Sequence, residues 1–248
     1  MRVIDVITYN GERDLLNLRH EILKDYVDEF IVVQAPTTFT GKPKPIYPVP
    51  DWATSYVIDE NYTPEEIELA ENSPNTKGAE HWKHEFLQKE SIKKALTHLD
   101  DKDVVFVGDT DEVWSQDALN LVGIHKLKLR VYTYYLNNKS SEVFWGTLKA
   151  PYSIIKDSCL NHLRTVADKT RDYYGWHFTS MYDLRKKLDD QYTEESYNTD
   201  WVRENLAENI KNRKDFLGRD FKMEIDESQW PAYLKNNREK YEHLLWKN

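Results

Sequence analysis

Asp109-Thr110-Asp111-Glu112 gathers three carboxylates within four residues, directly after the apolar run Val104-Val105-Phe106-Val107. Carboxylates one residue apart can turn onto a single hard cation, Mn²⁺ or Mg²⁺, whose remaining coordination positions accept diphosphate oxygens. In open α/β sheets ligands bind beyond the carboxyl ends of the strands, which is where such a cluster would stand if the apolar run is a buried strand. The plainer alternative is that the four residues cap a following helix or turn.

Asp-x-Asp after four apolar residues also fits the nucleophile loop of haloacid-dehalogenase-like phosphatases, with Asp109 attacking and Asp111 as acid/base. That loop normally opens its domain, whereas Asp109 follows a hundred residues of chain. No later strand ends in an acidic pair, since Asp189-Asp190 falls in a helical stretch.

The surrounding elements are those that would place the cluster at a sheet edge. Arg2 to Thr8 reads as a strand, Glu12 to Tyr26 as an amphipathic helix and Glu29 to Ala35 as a second strand, a βαβ unit that predicts a parallel sheet. Five prolines make residues 36–50 a long loop, because they remove donors that a sheet interior needs. Thr54 to Ile58 suggests a short strand and Thr63-Pro64-Glu65-Glu66 a helix start. Gly78 to Leu99 reads as one long helix, Asp103 to Val107 as a central strand and Ser115 to Val122 as a capped helix. Leu127 to Leu136 and Val143 to Ala150 suit an antiparallel extension. Beyond Trp176 the chain reads as helical near Asp183 to Gln191, Trp201 to Arg213 and Tyr233 to Trp246.

At 248 residues the chain fits a single α/β domain, with a nucleotide-binding part over about 1–122 and an acceptor part with C-terminal helices over about 123–248. A net charge of -9 argues against a broad nucleic-acid surface, which requires clustered Lys and Arg. No run approaches the roughly 18 apolar residues of a membrane span, and the opening residues are too polar for a secretory segment. With a lone Cys159 suited to a reducing compartment, the expectation is a cytoplasmic protein.

The motifs in order resemble glycosyltransferase family 17, the group that includes β-1,4-mannosyl-glycoprotein N-acetylglucosaminyltransferases. They are Tyr9-Asn10-Gly11-Glu12 with Asp14-Leu15-Leu16 and Leu18-Arg19; Thr38-Phe39-Thr40-Gly41-Lys42-Pro43-Lys44; Trp82 with Glu85 and Gln88; Gly108-Asp109-Thr110-Asp111-Glu112; Trp145 with Gly146-Thr147; Gly175-Trp176-His177-Phe178; and Asp215-Phe216-Leu217-Gly218-Arg219. Trp114 stands where proline is expected, and Phe178 and Met181 replace cysteines of animal members.

The resemblance implies a GT-A fold, with a mixed, mostly parallel sheet flanked by helices and a helical C-terminal region. It implies an inverting transfer of N-acetylglucosamine or a related hexose from a nucleotide donor, expected to be a UDP-sugar, to a glycan hydroxyl. Asp109 and Asp111 would hold Mn²⁺ or Mg²⁺, and His177 would complete the metal shell. Tyr9, Asn10 and Glu12 would line the donor pocket beneath Thr40 and Lys42, with Glu85 and Gln88 contacting donor or bracing the Asp-x-Asp loop. An inverting transfer needs a carboxylate base, for which Glu142 and Asp172 are the candidates. Trp145 and Trp176 could stack on acceptor sugars. A non-catalytic carbohydrate-binding protein is a third reading, motivated by the 8 tryptophans and 16 tyrosines.

Overall fold

The computed structural model describes residues 1–76, 80–192 and 197–247. The opening follows the alternation of its residues: β1 (Val3–Thr8), α1 (Arg13–Leu23) and β2 (Glu29–Gln34), with β1 and β2 parallel. β3 (Ala53–Val57) pairs parallel with β2, and α2 (Pro64–Asn72) begins on a capping box between Thr63 and Glu66. Next come α3 (Glu80–Glu90), β4 (Val104–Asp109) and the three-residue β5 (Glu112–Trp114). The second half contains β6 (His125–Thr133), β7 (Asn138–Pro151), α4 (Tyr152–Lys156), α5 (Leu160–Val166) and β8 (Asp168–Thr179). It closes with α6 (Leu184–Gln191), α7 (Asp200–Lys211), β9 (Met223–Ile225) and α8 (Ala232–Asn236).

The strands form one mixed sheet in the order β3-β2-β1-β4-β7-β6-β8-β5, with β9 added beside β7. Through β4 it is parallel, and β7 joins antiparallel to β4. β4 and β5 lie far apart in this order, yet only Thr110 and Asp111 connect them. The far half of the sheet must therefore curl back until β5 and its partner β8 stand at the end of β4.

Each face of the sheet carries a core. Ile4, Val6, Ile31, Val105 and Val107 pack with Ile92, Leu96, Leu148 and Ile155 on one side. Leu15, Leu18, Phe30, Phe106, Trp114, Leu129 and Phe178 pack on the other. Removing such side chains from water supplies the main driving force for this arrangement.

Several sequence expectations need correction. The helix read from Gly78 to Leu99 begins outside the described residues and leaves α-geometry at Glu90, continuing as a 3₁₀ turn over Ser91–Leu96. There the Ser91 hydroxyl donates to the Leu87 carbonyl at 2.9 Å, and side-chain bonding of this kind disturbs a helix. Ser115 caps nothing with its side chain, and only a 3₁₀ turn, Gln116–Asn120, follows. The last helix breaks at Asn237, whose side-chain amide donates to the Tyr233 carbonyl at 2.8 Å. β8 is an addition that the polar stretch Asp168-Lys169-Thr170-Arg171-Asp172 conceals. Among the described residues no helix is long and apolar enough to cross a membrane.

Candidate functional site

The acidic loop is held by a charge inside the core. Arg19 and Asp5 are both wholly buried, and their side chains meet in a fork: Nε donates to Asp5 Oδ2 at 2.6 Å and Nη2 to Oδ1 at 2.7 Å. The remaining Nη1 donates to the carbonyls of Asp109 at 3.0 Å and Glu112 at 2.6 Å, so it grips both ends of the loop. Trp114, in the position where proline is expected, donates its Nε1 to Asp5 at 2.9 Å and stacks on Phe106. Planar guanidinium geometry suits this double role, which an ammonium could not fill.

Arg19→Leu should destabilise the fold by about 3–5 kcal/mol, because Asp5 is left as an uncompensated buried charge. The double variant Asp5→Leu/Arg19→Leu should regain most of that loss in chemical denaturation. Equal instability of the single and double variants would refute the account.

Glu112 forms the floor. A Cβ built on Gly108 would lie 2.7 Å from Glu112 Oε2, and one on Gly146 would lie 2.7 Å from its carboxyl carbon, so the two glycines make room for this group. Thr147 Oγ1 donates to Glu112 Oε2 at 3.3 Å. Burial, then the neighbouring Asp109 charge, pushes the Glu112 carboxyl above the usual carboxylate range.

Above this floor lies a cleft of about 250 Å³, lined by Tyr9, Asn10, Glu12, Glu85, Gln88, Asp109, Asp111 and His177 among others. Asp109 Oδ1 accepts from the Thr8 hydroxyl at 2.5 Å, and its Oδ2 lies 3.7 Å from Lys89 Nζ. Burial opposes ionisation of Asp109, but the charges of Lys89 and Arg164 prevail and hold its pKa well below the ordinary value. The curl of the sheet brings His177 opposite Glu112 in the β5–β8 pairing. Its Nε2 faces Asp111 Oδ2 at 3.5 Å, while its ring stacks on Phe144 at 4.1 Å between centroids. Burial would lower the imidazole pKa, but the Asp111 carboxylate raises it overall. His177 Nδ1 is buried without a hydrogen-bond partner among the described residues.

A second cavity of about 170 Å³ adjoins the first, and Asn10, Glu12, Asp111, Lys187 and Asp190 line both. Glu12 Oε2 accepts from the Asn10 backbone N–H at 2.8 Å. Burial pushes the Glu12 carboxyl up, and burial together with Glu12 pushes the Tyr9 phenol up to about 12.

Other candidate residues stand elsewhere. Thr40 Oγ1 and Lys42 Nζ each donate to the Asp189 carbonyl at 3.0 Å, tying the loop to α6 rather than lining the cleft. Glu142 lies within β7, not between strands, and pairs with Arg219 at 3.2 Å. Asp172 is exposed where β8 slips register against β6. Trp145 donates to the Thr170 carbonyl at 3.0 Å and Trp176 to that of Gln229 at 2.7 Å, and neither lines the cleft. The structure adds Lys44, Lys89, Lys187 and Asp190 to the site. Lys89 had a signal in the sequence, four residues beyond Glu85, with which it pairs at 2.6 Å. Lys187 and Asp190 reach the cleft only through the placement of α6.

Two carboxylates and an imidazole are a donor set suited to Mn²⁺ or Mg²⁺. Asp111 and His177 already face one another, and Asp109 opens onto the same cleft. Among the described residues no three acidic, histidine or cysteine side chains converge into a finished metal site, and a cation at Asp109 has to compete with Lys89.

A family model described as Glycosyltransferase family 17 matches residues 1–217. Curated relatives include the β-1,4-mannosyl-glycoprotein 4-β-N-acetylglucosaminyltransferase of Homo sapiens, 24% identical over 202 residues, which cover 74% of this chain and 36% of the relative. The protein of the same name from Mus musculus is 23% identical over 202 residues, with the same coverage of 74% and 36%. That from Rattus norvegicus is 24% identical over 164 residues, 60% of this chain and 29% of the relative. The chain thus spans about a third of the length of these relatives.

Proposed function

The chain belongs to glycosyltransferase family 17, and from that premise we propose that it transfers N-acetylglucosamine or a related hexose from a UDP-sugar to a glycan hydroxyl, with inversion and in a GT-A arrangement. The names of the relatives, which are N-acetylglucosaminyltransferases, support the sugar. The observation that carries the reading is the meeting of Asp109, Asp111 and His177 around one cleft at the carboxyl end of β4. Membership of the family also removes the ground for the phosphatase reading of the same loop.

In this reading Val33, Ala35 and Ile58 form an apolar floor for the nucleobase beside Tyr9. Lys44, whose Nζ donates to Asn10 Oδ1 at 3.1 Å, and Lys187, 3.8 Å from Asp111, provide positive charge for the diphosphate. Asp109, Asp111 and His177 would hold a divalent cation, which when bound supplies charge neutralisation for the departing nucleotide.

The general base is reassigned. Asp109, Asp111, Glu85 and Asp190 each face a cation, and Glu112 is sealed beneath the cleft at 2% exposure. Glu12 has no ion-pair partner among the described residues and borders both cavities, so we assign it to take the proton from the acceptor hydroxyl. Glu142 and Asp172, which lie outside the cleft, are not needed for this step.

The test is thermal unfolding with UDP-, GDP- and dTDP-sugars, with and without Mn²⁺. A UDP-sugar at about a hundredfold excess over Kd should stabilise the native state by about 2.7 kcal/mol, a rise in Tm of roughly 5–10 °C for a chain of this size. The rise should require the cation. Indifference to every nucleotide sugar under both conditions would overturn the proposal.

A further inference from the structure

Away from the cleft, strands β6, β7 and β8 carry a run of cations and aromatic rings. Lys128 is paired in register with Trp145 on β7 and with Tyr173 on β8, and Lys126 is paired with Lys169. Lys169 Nζ stands 5.0 Å from the Trp145 ring centroid and Lys128 Nζ 5.8 Å from it. Lys128 also stands 4.5 Å from the Tyr173 centroid, and Arg130 stands 4.8 Å from it. The sequence of groups is therefore cation, ring, cation, ring, cation.

Among the described residues these cations form no ion pair: none joins Lys126, Lys128, Arg130 or Lys169 to a carboxylate, in a chain whose net charge is -9. Like charges directly opposite one another across a strand pair destabilise it, so the Lys126–Lys169 register carries a cost within the folded protein. Cation–ring attraction offsets part of that cost and leaves the positive charge in place.

We propose that this face is a subsite for a glycan chain bearing carboxylates, which it holds while the reacting end of the chain enters the cleft. The proposal rests on the transferase reading for that second clause. Aromatic side chains stack on the apolar faces of sugar rings, and a cation beside each ring meets an acidic substituent on the sugar. The cations that would meet such a substituent are mostly lysine point charges, and Arg130 Nε already donates to Gln229 Oε1 at 2.8 Å. Lys126 feels the charges of Arg164, Glu112, Lys169 and Lys89, so the face and the cleft lie within electrostatic range of one another.

The experiment is calorimetric titration of the full chain with four probes: a polygalacturonate oligosaccharide, its neutral methyl ester, a single-stranded DNA oligonucleotide and phosphatidylserine vesicles. The uronate should bind, with affinity falling as salt rises, and should outcompete the other three. Lys126→Ala/Lys169→Ala and Trp145→Ala should each weaken uronate binding by roughly tenfold, about 1.4 kcal/mol. Lys169→Glu, at an exposed position that does not test folding, should weaken it at least as much. Equal affinity for DNA or vesicles, binding undiminished in the variants, or no uronate binding by the unaltered chain would overturn the proposal. Stabilisation by UDP-sugar and Mn²⁺ in the same variants separates the two readings. If it persists while uronate is ignored, the subsite falls and the transferase stands; if uronate binds through these residues and no nucleotide sugar does, the surface stands and the transferase falls.

Discussion

Asp111→Ala should lower sugar transfer by about 1000-fold or more, the scale on which loss of a charge-stabilising group is felt in the transition state. Its fold should survive, because Asp111 lines the cleft and its side-chain partners, His177 and Lys187, are themselves cleft residues. Asp109→Ala should match it in activity but differ in stability. The ionised Asp109 carboxylate is bound to Thr8 and attracted by Lys89, which holds its pKa below the ordinary value. A depressed carboxyl pKa contributes stability that is complete above the unfolded value, about 4, and is lost as pH falls toward the folded value. Asp109→Ala should therefore narrow the gap between neutral and acid stability, whereas the unaltered chain loses that contribution on acidification. Transfer within tenfold of the unaltered chain in one of these variants, with bound UDP-sugar, would remove that aspartate from the mechanism.

Glu12→Gln should lower kcat by roughly 100- to 10,000-fold, the range for loss of a general base, while leaving the shift in Tm caused by UDP-sugar nearly unchanged. The pH profile gives a second, independent sign. Burial raises the Glu12 pKa, so the acid limb of kcat should lie at higher pH than an ordinary glutamate would place it. Activity should be lost as pH falls through that limb, because the base must be ionised to accept a proton. The same shift has the opposite sense for folding. Above its folded pKa an ionised, buried Glu12 is a cost to the native state, so Glu12→Gln should unfold at an equal or higher temperature. A variant that turns over normally, or one that loses nucleotide binding together with turnover, would place Glu12 among donor contacts instead.

The contrast between Glu12 and Glu142 illustrates what spacing conveys. Glu12 is named through the family resemblance, as a donor contact, and the structure sets it four residues beyond the end of β1, beside the end of β4 at Asp109, on the ligand side of a parallel sheet. Glu142 and Asp172 gain their nearness to Trp145 and His177 only along the chain. In a strand successive side chains point to opposite faces, and β8 slips register beside Asp172, so sequence neighbours there do not share a site. Trp145 and Trp176 fail to reach the cleft although their neighbours Phe144 and His177 line it.

The sequence by itself determined the βαβ opening, the buried strand that ends in Asp109 and the family to which the chain belongs, because periodicity and ordered motifs are local properties of the chain. Tertiary structure decided which residues meet there. Only the curl that returns β5 and β8 to the end of β4 sets His177 against Asp111, and only the approach of α1 sends Arg19 to the carbonyls of Asp109 and Glu112. These contacts join residues up to 93 positions apart, and their energy depends on burial and geometry that no local pattern records.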